Sequence, residues 1–157
     1  MDFEKLNFII RKFFINSNVL NIVEVHNGYI NKTYIVEHLY DGRKSKFILQ
    51  CLSNIFESHQ KVNKNHQLIT DHINKKIKNN YFTFESKRWE VPNLIKCETN
   101  NLFVFPFESG FWRVMAYIDE SYSLDLLEDE IMAFQTGRGL SKFHLLCSDL
   151  NPSKVEN

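Results

Sequence analysis

A chain of 157 residues, 43% of them apolar and 24% charged, is long enough to form one domain that buries its own core without a disulfide or metal staple. Its 19 Lys and Arg balance its 19 Asp and Glu, which removes any bulk electrostatic attraction to nucleic acid or to an anionic membrane. Cys51, Cys97 and Cys147 are odd in number and contain no CxxC pair, so neither a disulfide framework nor a zinc knuckle is expected, and reduced thiols in the cytoplasm fit them better.

The opening segment "MDFEKLNFIIRKFFINS" mixes charges among short apolar runs, unlike a signal peptide or a membrane span. Phe3, Leu6, Ile9, Ile10 and Phe13 or Phe14 fall at helical spacing and predict an amphipathic packing helix ending near 16–18. From residue 19 the texture turns β-branched and alternating: "VLNIVEV", "KTYIVEHLY" and "KSKFILQCL" read as three strands, with Asp41-Gly42 closing a hairpin between the last two. Residues 53–78 place Val62, Leu68 or Ile69, Ile73 and Ile77 on one stripe and gather lysines at the end, as a surface helix packed on the sheet does. After a linker of aromatic and charged residues, "PNLIKC", "NLFVFP" and "FWRVMAYI" offer three more short strands, for an antiparallel meander in all. The last segment, 124–152, is expected to be helical, with Gly137 and Gly139 tolerated for the close approach of another element. Glu128, Asp129 and Glu130 run consecutively and so diverge; they read as a solvated helix start rather than a metal site.

A strand, a glycine turn with small polar residues, a second strand, a hairpin, a third strand and a helix form the order in which the small lobe of a kinase is built. In such a lobe the turn lies over nucleotide phosphates, whose oxygens accept hydrogen bonds from backbone N–H groups. Gly28, Asn31 and Thr33 would sit in that lid. The strings "NGYINKTYIVE", "FILQCLSNIFES", "LITDHI", "FWRVMAYID" and "FQTGRGLSKFHLLCSDLNP" resemble, in order and spacing, the aminoglycoside phosphotransferase-like kinases, and most of all the branch that contains N-acetylhexosamine 1-kinase. The resemblance covers nearly all of the chain after residue 20 and implies an ATP-dependent small-molecule phosphotransferase fold, with a five-stranded small lobe, one main helix, a hinge and a mostly helical large lobe.

By that resemblance the turn Gly28 to Thr33 matches the phosphate-covering loop, and Gln50 stands where the wider superfamily places a lysine that pairs with the α- and β-phosphates. Glutamine donates a hydrogen bond but brings no charge. Cys51 follows where the branch tends to have arginine, and Asn65 matches the glutamate of the main helix. "VMAYID" matches the hinge: Met115 resembles the gatekeeper, equally a core methionine of a buried strand, while the C=O of Ala116 and the N–H of Ile118, with Tyr117 between them, would meet the adenine edge.

The catalytic pattern H-x-D-x-x-x-x-N is absent, since none of His26, His38, His59, His66, His72 and His144 has aspartate two residues on. The D-x-D or D-x-E metal pair expected further along is also not found. The expectation is therefore an α+β protein consisting of a kinase-like N-terminal lobe over 1–118, followed over 119–157 by the hinge and the start of a truncated large lobe. Its cofactor would be ATP, bound weakly, with Mg only if a large lobe is supplied. Partners would be a nucleotide, and either a separately encoded large lobe or a second copy meeting the helix at 124–150. Two other readings stay open: a non-catalytic interaction or assembly module, and an unrelated α+β binding domain.

Overall fold

The computed structural model describes residues 2–26, 28–79 and 88–156. In chain order the elements are α1 (Phe3–Phe13), β1 (Asn18–Val25), β2 (Lys32–Tyr40), β3 (Arg43–Leu52), α2 (His59–Lys78), β4 (Leu94–Ile95), β5 (Phe105–Phe107), β6 (Gly110–Ala116) and α3 (Glu130–Cys147), with a 3-10 turn at Pro152–Lys154. The fold is α+β. Its described strands form one antiparallel sheet of six, in the order β1-β2-β3-β6-β4 with β5 paired to β6. This departs from the expected meander. The first three strands follow it, but β6 inserts between β3 and β4, so the chain returns across the sheet after α2.

Two compact units divide the chain. The first comprises Met1–Gln67, Pro92–Tyr117 and Glu156–Asn157, and the second Leu68–Val91 and Ile118–Val155.

The first unit holds α1, the whole sheet and the opening turns of α2. Helix α1 starts where the Asp2 carboxylate accepts from the Glu4 N–H, and it ends with Arg11 and Lys12 in its last turn, where the helix dipole favours cations. Leu6, Ile9, Ile10 and Phe13 form its buried stripe and pack with Tyr34, Val36, Phe47, Leu49, Trp112 and Val114 of one sheet face. The hairpin between β2 and β3 turns on Asp41 (φ 49°) and Gly42 (φ 73°), two consecutive left-handed residues as a type I′ turn demands. Its register, Thr33 with Gln50 and Ile35 with Ile48, fixes which side chains share a face.

Helix α2 begins at His59 rather than at 53. The reason is local: the Asn31 carboxamide oxygen accepts from the Ser53 N–H at 2.8 Å, and His59 Nε2 meets the Ser53 carbonyl at 3.2 Å, which holds 53–58 as a turn. The His59 ring stacks on Phe111 at 4.1 Å between centroids, so the start of α2 lies on the sheet face opposite to α1.

In the second unit the later turns of α2 bury Ile73, and the C-terminal part of α3 buries Leu146. Asp149, just beyond α3, accepts from His72 Nε2 at 2.9 Å and from the buried Lys76 ammonium. The Lys76 hydrogen bond, and that of His72 after it, hold the Asp149 carboxyl below its ordinary range, although burial works against them. Helix α3 starts at 130 instead of 124, because the Asp129 carboxylate caps it by accepting from the Met132 N–H at 2.7 Å. Among the described residues nothing lies within 4 Å of where a Cβ would stand on Gly137 or Gly139, so the close approach expected there is not found. The linker expected before β4 includes 80–87, outside the described residues, as is Asn27 of the glycine turn.

Candidate functional site

The face of the sheet away from α1 is ordered by its register into two adjacent rows. Directly paired residues of neighbouring strands point to the same side. One row runs Val23, Ile35, Ile48, Met115, Leu94 across five strands and is wholly apolar. Met115 is buried, whereas Ile35, Ile48 and Leu94 are half-buried and Val23 is 50% exposed. The next row runs Val25, Thr33, Gln50, Arg113 and turns polar as it crosses the sheet. The two rows are separated by two residues of strand, about 7 Å.

The polar row is a directed hydrogen-bond relay. Arg113 donates from Nε and Nη2 to the Gln50 carboxamide oxygen at 3.0 and 2.7 Å. A guanidinium has no acceptor, so the Gln50 atom facing it must be the oxygen, and the NH₂ group must face away. That group donates to Thr33 Oγ1 at 2.9 Å, and the Thr33 hydroxyl donates in turn to the Asn31 carbonyl at 3.4 Å, a weak terminal bond. On its other side Arg113 Nη1 donates to Asn63 Oδ1 at 3.3 Å, while Asn63 Nδ2 donates to the His59 carbonyl one turn earlier at 2.7 Å.

Arg113 is only 8% exposed, and burial pulls its pKa down to about 10, which leaves it cationic at neutral pH. Among the described residues no carboxylate lies within ion-pair distance of it. Its field reaches His66, whose Nε2–H donates to the Pro92 carbonyl at 2.6 Å; burial lowers the His66 pKa, against the raising effect of that hydrogen bond, and the Arg113 charge lowers it further.

The sequence-predicted site residues fall around these rows. Gly28 is exposed and outside the left-handed region, since Gly42 is the described glycine with positive φ. A Cβ on Gly28 would stand 3.3 Å from the Asn31 carbonyl, so what glycine supplies here is close approach within the turn. Asn31 braces that turn against Ser53, and Thr33 and Gln50 are consecutive members of the relay. Met115 lies on the same face as Thr33 and pairs with Ile48 and Leu94. The Ala116 N–H is bonded to the Asn93 carbonyl at 2.8 Å, and Tyr117 receives the Lys46 ammonium over its ring at 5.6 Å. Ile118 belongs to the second unit.

Sequence reasoning missed Arg113 and Asn63. Asn63, not Asn65, meets the strand network; Asn65 makes paired hydrogen bonds with the backbone of Glu156 at 2.8 and 2.9 Å. A signal for Arg113 was present: it is the lone charge inside "FWRVMA", where alternation puts it on the face of Gln50. On the α1 side a separate depression of about 370 Å³ is lined by Tyr34, Cys51 and Trp112 among others, and includes no member of either row. No protein-family model matches this chain, and no curated protein matches it at a significant level.

Proposed function

We propose that this chain provides the nucleotide-binding lobe of an ATP-dependent small-molecule phosphotransferase of the aminoglycoside phosphotransferase-like kind, with a sugar or amino sugar as the acceptor class. The observation that carries this reading is the pair of rows on one sheet face. An apolar row suits the flat face of adenine; the polar row one step along suits the phosphates; and the Gly28–Thr33 turn joins the polar row at Thr33. The order of elements supports it too, since two strands flank the turn, a hairpin leads to β3 and α2 follows.

In this reading Val23, Ile35, Ile48 and Met115 enclose the base, and the backbone of Ala116 and Tyr117 meets its polar edge. Transfer to an acceptor hydroxyl also needs a carboxylate to position that hydroxyl and a metal to bridge the phosphates. The sequence contains no H-x-D-x-x-x-x-N pattern, so those groups, and magnesium with them, would come from a large lobe outside these 157 residues. No helix among the described residues is long and apolar enough to cross a membrane, which is compatible with work on the cytoplasmic ATP pool.

Calorimetry with adenosine and guanosine tests the reading. Adenosine should bind with a Kd on the order of hundreds of micromolar, as expected for a base held by one lobe, and guanosine more weakly. Absence of adenosine binding at millimolar concentration would overturn it.

A second reading, an interaction module that docks a separate large lobe or another copy, draws on α3. Ile131 and Phe134 are 71% and 64% exposed, with Leu140, Phe143 and Leu145 exposed beside them. Sedimentation decides it: this reading expects self-association or dye binding at tens of micromolar protein, about the range where such patches act, and a clean monomer that binds no hydrophobic dye contradicts it.

A further inference from the structure

Position 50 lacks the cation that a phosphate site needs, and the neighbouring strand holds one. The geometry points to Arg113, acting through Gln50 and Thr33, as the group that compensates phosphate charge at this face; its ligand would be the polyphosphate of a nucleotide. This inference rests on the nucleotide reading above and adds to it the residues that recognise the phosphates.

The relay runs in one direction. Each member donates to the next, from the Arg113 guanidinium to the Gln50 oxygen, from the Gln50 NH₂ to the Thr33 hydroxyl, and from that hydroxyl to the Asn31 carbonyl. Because Arg113 takes the Gln50 oxygen with two hydrogen bonds, Gln50 can present only donors toward the turn. Cooperative polarisation makes those donors stronger than an isolated amide and hydroxyl, with the positive end of the relay directed at Gly28–Thr33.

The last bond is the weakest. At 3.4 Å between Thr33 Oγ1 and the Asn31 carbonyl, little is lost when the hydroxyl turns to an incoming phosphate oxygen. The second Gln50 N–H can donate to the same anion. Meanwhile a buried guanidinium with no described carboxylate partner carries an unmet charge, which an anion docked at the far end of the relay would offset. Glutamine at position 50 thus acts as an adaptor, passing the field of a cation that itself stays covered.

The test compares the full chain with Gln50→Glu and Thr33→Val by calorimetry, using ATP, adenosine and inorganic triphosphate without magnesium. Glutamate at 50 still accepts from Arg113, so the network survives, but its charge is cancelled and its donor is gone. The wild-type chain should bind ATP about tenfold or more tightly than adenosine, as one charge-assisted contact allows, and should bind triphosphate measurably. In Gln50→Glu the ratio of ATP to adenosine affinity should fall to about one or below, and in Thr33→Val it should fall several-fold. Equal wild-type affinity for ATP and adenosine overturns the inference while leaving the nucleotide reading intact. An undiminished ratio in both variants also overturns it. Triphosphate binding that is lost in Gln50→Glu, with no adenosine binding, supports the phosphate relay and overturns the nucleotide reading instead. Failure to bind any of the three overturns both. If Gln50→Glu does not fold, Thr33→Val at the half-buried end of the relay decides in its place.

Discussion

The two faces of the sheet are built from the same strands and could hardly differ more. On the α1 side Val36, Leu49 and Val114 are 0% exposed, and so is Phe13 of the same cluster. On the other side, one residue along each strand, Val23, Ile35 and Ile48 keep part of their surface open, and the row beside them is spent on an arginine, a glutamine and a threonine. The closed face holds the unit together. The open face gives up burial and covers a cation that packing alone would not require.

Breaking the closed face should cost most. Phe13→Ala removes a wholly buried ring from the cluster, and should lower stability by about 3 to 5 kcal/mol in denaturant titration. That is a large part of what a domain of this size has to lose. A loss below about 1 kcal/mol would mean that the cluster is looser than its burial indicates.

On the open face Val23→Ala deletes two carbons from a side chain already half in water, so it should cost no more than about 1 kcal/mol. Its larger effect should be on ligand: adenosine affinity should fall several-fold in Val23→Ala, while a closed-face change that leaves the chain folded, such as Val36→Ala, should not alter it. An equal effect on both faces would remove the distinction.

The gentlest perturbation is pH. His38 is 2% exposed among Phe14, Tyr40 and Phe47, and its ring nitrogens are satisfied by the Ser17 and Ser45 hydroxyls at 2.8 and 3.0 Å. Burial holds His38 below its ordinary 6.5, and burial, helped by the Arg113 charge and opposed by the Pro92 hydrogen bond, does the same to His66. For both groups the unfolded chain binds a proton that the folded chain refuses, so stability is full above 6.5 and declines as pH falls from there through the folded values. Unfolding curves between pH 7.5 and about 5 should show this decline, and His38→Gln should flatten it in part. A stability that rises on acidification would reverse the assignment.

How much of this was legible depended on whether the signal was local. Helix α1 was readable because its apolar stripe has helical spacing, and the β2–β3 hairpin because Asp41-Gly42 is a turn with only one good conformation. Helix boundaries were missed where side chains outside the periodic pattern set them, as Asn31 does for 53–58 and Asp129 does for α3. The meander failed because nothing in "PNLIKC" says that its two paired residues will lie beside β6 rather than β3. Arg113 was the most consequential omission. Its partner Gln50 is 63 residues away, and only the β3–β6 register sets them side by side.

Whether the open face holds a nucleotide can be read from methyl-detected NMR during titration with adenosine. The methyl signals of Val23, Ile35, Ile48 and Met115 should shift together and saturably, while those of Val36, Leu49 and Val114 stay where they are. Shifts confined to the closed face, or none at millimolar adenosine, would contradict it.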